Sequence, residues 1–158
     1  AVVLLEDQDR AQWDRGLIAT AGGWLAKSRT NDPSTYHFEA AIARQHCIAP
    51  SVDQTDWEMI VKLYDRLLQL NESPIYRLNR AIAIAQAGDS QTAMSELQSL
   101  SDRAEMQDYP LLDCAMARVH ESNGDRENAI NCYQNALAKQ PARHEKDLLE
   151  SKLRNLTG

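Results

Sequence analysis

Apolar and polar positions alternate along this chain at helical spacing, and the pattern breaks at regular places. From Ser73 to Leu97 it reads SPIYRLNRAIAIAQAGDSQTAMSEL, with Ala81, Ala83, Ala85 and Ala87 at every second place, a break at Gly88-Asp89, and a resumed helical pattern. From Leu111 to Pro141 the plan recurs: helix, Gly124-Asp125, helix, proline. Aligning Gly88 on Gly124 brings Ala81 onto Ala117, Ala93 onto Ala129, Leu97 onto Tyr133 and Leu100 onto Ala136, all 36 residues apart. Upstream, Ile60, Tyr64 and Leu67 lie 33 residues before Ala93, Leu97 and Leu100. The segment DWEMIVKLYDRLLQLNESP therefore predicts the second helix of an earlier pair, with Asp53 or Thr55 to cap it. Its first helix is expected from Ser34 to about Ile48, with Ala40, Ala41 and Ala43 on a tight face, joined by the loop APSVDQT. DRAQWDRGLIATAGGWLAKSR is helical with a weak point at Gly22-Gly23. RHEKDLLESKLRNL is one amphipathic helix with Leu148, Leu149, Leu153 and Leu156 on its apolar face.

A small residue mid-helix, a Gly-Asp turn, Ala-x3-aromatic/Leu-x2-Ala/Leu and a closing Pro together resemble the tetratricopeptide repeat, whose period is about 34. The two additional residues fit in SDRAEMQDYP, between Ser101 and Pro110. The expected fold is all-α: antiparallel helical hairpins stacked as a tetratricopeptide-like solenoid of about eight helices, the last a polar-backed cap. One domain over 1–158 is expected, divided into an N-terminal helical segment (1–33), an irregular hairpin (34–72), two regular hairpins (73–108 and 109–141) and the capping helix (142–158). The alanines have a packing reason. A surface of Cβ atoms at Ala81 and Ala85 lets the second helix approach closely through Ala93 and Leu97. Gly88 and Gly124 supply the positive φ that ends each first helix, and Asp89 and Asp125 cap the next.

Composition narrows the function. Only six glycines and five prolines interrupt a chain rich in helix formers. The net charge is −6, and residues 51–110 hold ten acidic groups against five basic ones, which opposes binding to nucleic acid or an anionic membrane. Proteins are the expected partners. Cys47, Cys114 and Cys132 have no metal-ligand spacing and fit buried thiols in a reducing cytosol. No metal or cofactor is expected, and no apolar run is long enough for a membrane span or a signal peptide. The absence of an initiator Met suggests a piece of a longer protein.

Candidate chemistry is sparse. His37, His46, His120 and His144 are scattered without catalytic spacing. His46 and Cys47, adjacent on a helix, point about 100° apart and cannot form a nucleophile pair. No phosphate loop or nucleophile elbow occurs, so no enzyme is expected. Two clusters stand out. Asp7, Gln8, Asp9, Arg10 and Trp13 crowd polar and aromatic groups at the start of the folded part. They fit either a helix N-terminus capped by Asp9 over a buried Trp13, or a docking contact. Arg77, Asn79, Arg80 and Arg118 are candidate groove residues that could hold a peptide backbone or carboxylate; Asn79 and Arg80 could equally bridge neighbouring helices.

The phrases LLEDQDRAQWDRGLI, AAIARQH, TDWEMIVKLYDRLL and SPIYRLNRAIA, in this order and spacing, resemble the C-terminal tetratricopeptide-like domain of a family of bacterial extracytoplasmic-function (ECF) sigma factors. TAGGWLAKSRTNDPSTYHF departs from that family's Leu/Ala-rich run. The resemblance implies a cytoplasmic regulatory extension: the sigma regions that bind polymerase and promoter DNA precede Ala1, and this part contacts them, RNA polymerase or a protein partner without touching DNA. It places the interdomain contact at Asp7, Gln8, Asp9, Arg10 and Trp13. The other reading is a free-standing tetratricopeptide adaptor that binds a peptide in its concave groove.

Overall fold

The computed structural model describes residues 9–28, 30 and 32–158, and among these all regular structure is helical. A short 3₁₀ turn, Arg10–Gln12, precedes α1 (Arg15–Lys27), α2 (Thr35–Ile48), α3 (Trp57–Leu70), α4 (Pro74–Gln86) and α5 (Ser90–Ser101). A second 3₁₀ turn, Ala104–Met106, leads to α6 (Pro110–Ser122), α7 (Arg126–Ala138) and α8 (Arg143–Thr157). Two compact units emerge, residues 1–76 and 77–158, with the division inside α4.

In residues 77–158 the repeat register is reproduced in the packing. Ala81, Ala93, Leu97 and Leu100 are buried, and so are their counterparts Ala117, Ala129, Tyr133 and Ala136. The two turns are built alike. Gly88 has φ 99° and Gly124 φ 74°. The Asp89 N–H donates to the Ile84 carbonyl at 3.1 Å, and the Asp125 N–H to that of His120 at 2.9 Å, so each closes a helix end whose carbonyls would otherwise be orphaned. The same aspartates then cap the next helices, accepting from Thr92 N–H at 3.0 Å and Asn128 N–H at 3.2 Å. Those bonds hold both carboxyls below their ordinary value.

The last helix completes a core of Ala117, Tyr133, Ala136 and Leu149, with Leu153 and Leu156 packed against it. Polar ties fix it in place. Arg126 Nε donates to the Leu156 carbonyl, tying α7 to the last helix, while Lys139 pairs with Asp113 at 2.5 Å and ties the end of α7 to α6. The link between repeats is also structured: its 3₁₀ turn buries Met106.

Residues 1–76 are assembled differently. Asp14 caps α1 by accepting from Leu17 N–H at 2.9 Å, and the helix runs unbroken through Gly22 and Gly23, so the expected weak point is absent. Gly22 instead permits a close approach, because a Cβ there would sit 3.3 Å from Arg44 Nε. Helix α1 packs on α2 without burying any residue, while Ile42 of α2 and Ile60 and Leu67 of α3 are buried. The expected tight face of α2 is not sealed: Ala40 and Ala43 are exposed and Ala41 half-buried. The start of α3 is also corrected. Asp56, and not Asp53 or Thr55, is its cap, accepting from Met59 N–H at 2.9 Å.

Candidate functional site

Thr55 is freed from capping because it serves a different residue. Arg10 is only 3% exposed, and its Nη1 lies 2.9 Å from the His46 carbonyl, 3.3 Å from that of Ala49, 3.1 Å from that of Ser51 and 3.1 Å from Thr55 Oγ1. All four acceptors crowd one nitrogen of the guanidinium, Nη1, and share its two N–H bonds, while the buried Nε has no hydrogen-bond partner among the described residues. The expected loop APSVDQT is thus wound around Arg10. Arg15 extends the clamp, donating to the Cys47 carbonyl at 3.2 Å and to Arg10's own carbonyl at 3.3 Å. His46 packs edge-on against Trp57 with ring centroids 5.3 Å apart. Burial, and then the Arg10 charge, push His46 below the ordinary histidine value, which favours its neutral ring.

Asp9, beside this clamp, is exposed. It caps only the 3₁₀ turn, accepting from Ala11 N–H at 3.0 Å, and its second oxygen accepts from Gln12 Nε2 at 3.0 Å. Trp13 is half-buried, with the Arg10 guanidinium 5.4 Å above its ring, so the expectation of a buried Trp13 is only half met. Asp7 and Gln8 lie outside the described residues.

The groove candidates fall in residues 77–158 and separate from one another. Arg77 is exposed and Asn79 half-buried. Arg80 forms an ion pair with Glu96, tying α4 to α5 inside one hairpin. Arg118 lines a recess of about 190 Å³ between α4 and α6, walled by Ile82, Ala85, Leu111, Cys114 and Val119. Ala85, expected at the crossing with α5, is half-buried and opens onto this recess. Cys114 is the lining residue that sequence reasoning missed as part of a site. Its position four before Arg118 places both on one helix face, which was the available signal. The thiol is free and half-buried, and burial, reinforced by Asp113, pushes it up to about 11, so it is an apolar wall and a poor nucleophile at neutral pH. All three cysteines are half-buried, where buried thiols were expected.

The arrangement suits recognition: an apolar floor, one cationic side chain and polar Gln86 and Ser122 at its edge. Among the described residues no helix is long and apolar enough to cross a membrane.

Comparison with known proteins agrees with this geometry. The tetratricopeptide repeat family matches residues 115–145, the stretch of α6, α7 and the start of α8. An uncharacterized protein of Rhizobium meliloti (strain 1021) is 42% identical over 104 residues, which is 65% of this chain and 25% of that protein. The chain therefore spans about a quarter of that relative's length. The match over residues 115–145 and the helical hairpins support a tetratricopeptide-like fold, a kind that typically mediates protein–protein interaction and is typically non-catalytic.

Proposed function

We propose that residues 1–158 form one non-catalytic regulatory domain of a cytoplasmic ECF sigma factor, which modulates transcription initiation by contacting the sigma regions or RNA polymerase. The observation that carries an interaction role is the α4–α6 recess, a mostly apolar hollow lined by Ile82, Ala85, Leu111, Cys114 and Val119 together with Arg118. The sigma assignment is supported by the ordered phrases from Leu4 to Ala83 and by an acidic composition that leaves promoter binding to other regions. In this reading the segment of Asp7, Gln8, Asp9, Arg10 and Trp13 makes the interdomain contact, with the buried Arg10 anchoring it from within. Of the groove candidates Arg77, Asn79, Arg80 and Arg118, the one on the α4–α6 recess, Arg118, serves the partner in this reading, while Arg80 holds α4 to α5 through Glu96.

The test is reconstituted transcription with the full-length protein and core polymerase. Asp9→Asn and Arg118→Glu, each checked for helix content by circular dichroism, are expected to change promoter-dependent transcript yield by about fivefold or more, as coupling between sites commonly does. Wild-type yield from both variants, or no association of the full-length protein with core polymerase, rules the sigma reading out. An Arg118-dependent peptide complex without polymerase association would establish the free-standing adaptor instead.

A further inference from the structure

A second cavity, in residues 1–76, has a different character. Helices α1 and α2 leave between them a cleft of about 390 Å³, walled by Leu17, Ile18 and Leu25 on one side and by Ala40 and Ala43 on the other. Its volume lies within the usual range of small-molecule sites. Nothing of α1 is buried: Leu17 is 68% exposed and Trp24 71%, so the cleft is held open by helices that do not close on each other. Its lining includes one charged side chain, Arg44, whose Nε lies across the face of Gly22. Among the described residues Arg44 pairs with no carboxylate, unlike Arg80, which has Glu96. An unpaired guanidinium beside apolar walls is complementary to one kind of molecule, an apolar body that ends in a single anion.

We propose that the α1–α2 cleft binds a small anionic amphiphile, of the class of a medium-chain carboxylate, with its tail against Leu17, Ile18 and Leu25 and its head on Arg44. Gly22 then has a role in the site, since a Cβ there would lie 3.3 Å from Arg44 Nε and push that side chain aside by a few tenths of an ångström. The occupant needs no contribution from the α4–α6 recess, so the proposal is independent of the sigma reading.

The experiment uses the whole chain, with 1-anilinonaphthalene-8-sulfonate as fluorescent reporter and dodecanoate and dodecanol as competitors. Dodecanoate is expected to displace the reporter saturably, and about tenfold more tightly than the uncharged alcohol, as one charge-assisted hydrogen-bonded pair would give. Arg44→Gln removes that preference and leaves the alcohol's affinity unchanged. Ala43→Leu, at an exposed position, fills the cleft and abolishes both competitions. Absence of saturable reporter binding, equal affinity for acid and alcohol in the wild type, or competition unaffected by both substitutions overturns the proposal. Because the acid-to-alcohol ratio is internal to each protein, it remains decisive even if Ala43→Leu fails to fold.

Discussion

Two helix pairs in this chain draw on the same small residues and end differently. In α6–α7, Ala117 and Ala136 are buried because Tyr133 and Leu149 fill the space beside them. In α1–α2, Ala21, Gly23, Ala40 and Ala43 stay exposed, and the large side chains Trp24 and Tyr36 point to solvent. Small residues bring helices together only where bulky neighbours seal the flanks; without them the same thin faces leave an open trough. The α2–α3 pair adds a third solution, in which a buried arginine organises a loop that apolar packing does not.

The comparison can be broken most severely at Tyr133. Its hydroxyl donates to Glu121 at 2.6 Å, and burial is the main cause that raises its ionisation above the ordinary tyrosine value. Tyr133→Ala is expected to destabilise residues 77–158 by about 3–5 kcal/mol, the usual cost of deleting a buried aromatic ring, read as a lowered urea midpoint. Arg10→Met is the counterpart in residues 1–76. It strands carbonyls of the α2–α3 loop and is expected to cost about 3 kcal/mol. Hydrogen exchange should then show amides of α2 and α3 losing protection while those of α6 and α7 keep it; uniform loss would contradict the division of labour.

Two glycine substitutions sharpen the contrast at a smaller scale. Gly124→Ala forces a side chain into the left-handed region and is expected to destabilise by about 1–2 kcal/mol. Gly23→Ala lies within a helix with nothing within 4 Å of the new Cβ and is expected to stabilise by about 0.5–1 kcal/mol. Thermal melts of the pair should move in opposite directions. The smallest effect concerns pH. Asp125 is held below its ordinary value of 3.8 by its bonds to Asn128, so its contribution is complete above that value and is lost as pH falls through the lower folded one. Asp125→Ala should therefore lower the melting temperature at neutral pH and converge with the wild type in strong acid.

Much of the regular architecture was legible because it rests on local rules. The 36-residue register, the Gly-Asp turns, the caps at Asp89 and Asp125 and, for Leu149, Leu153 and Leu156, the leucine face of α8 follow from periodicity and turn chemistry, and the structure has them at those residues. What escaped depends on partners without a side-chain signature. Arg10 sits in an acidic phrase that reads as surface, and three of its acceptors are carbonyls, which every residue carries. The cap of α3 falls at Asp56 and not at the expected Asp53 or Thr55, and the Thr55 hydroxyl is taken up by Arg10, a contact that sequence does not announce. The trough along α1 was hidden for a related reason. Alanines at helical spacing predict a close approach, but not whether anything closes the sides.

Arg10 also has a consequence for the order of events during synthesis. Its acceptors lie 36–45 positions downstream, so the guanidinium leaves the ribosome well before the cage that will hold it exists. Contacts of that sequence separation close after the local hairpins do. The segment around Asp9 is therefore fastened late, onto a preformed receptacle, and any partner that pulls on it competes with a latch and not with the hairpins themselves.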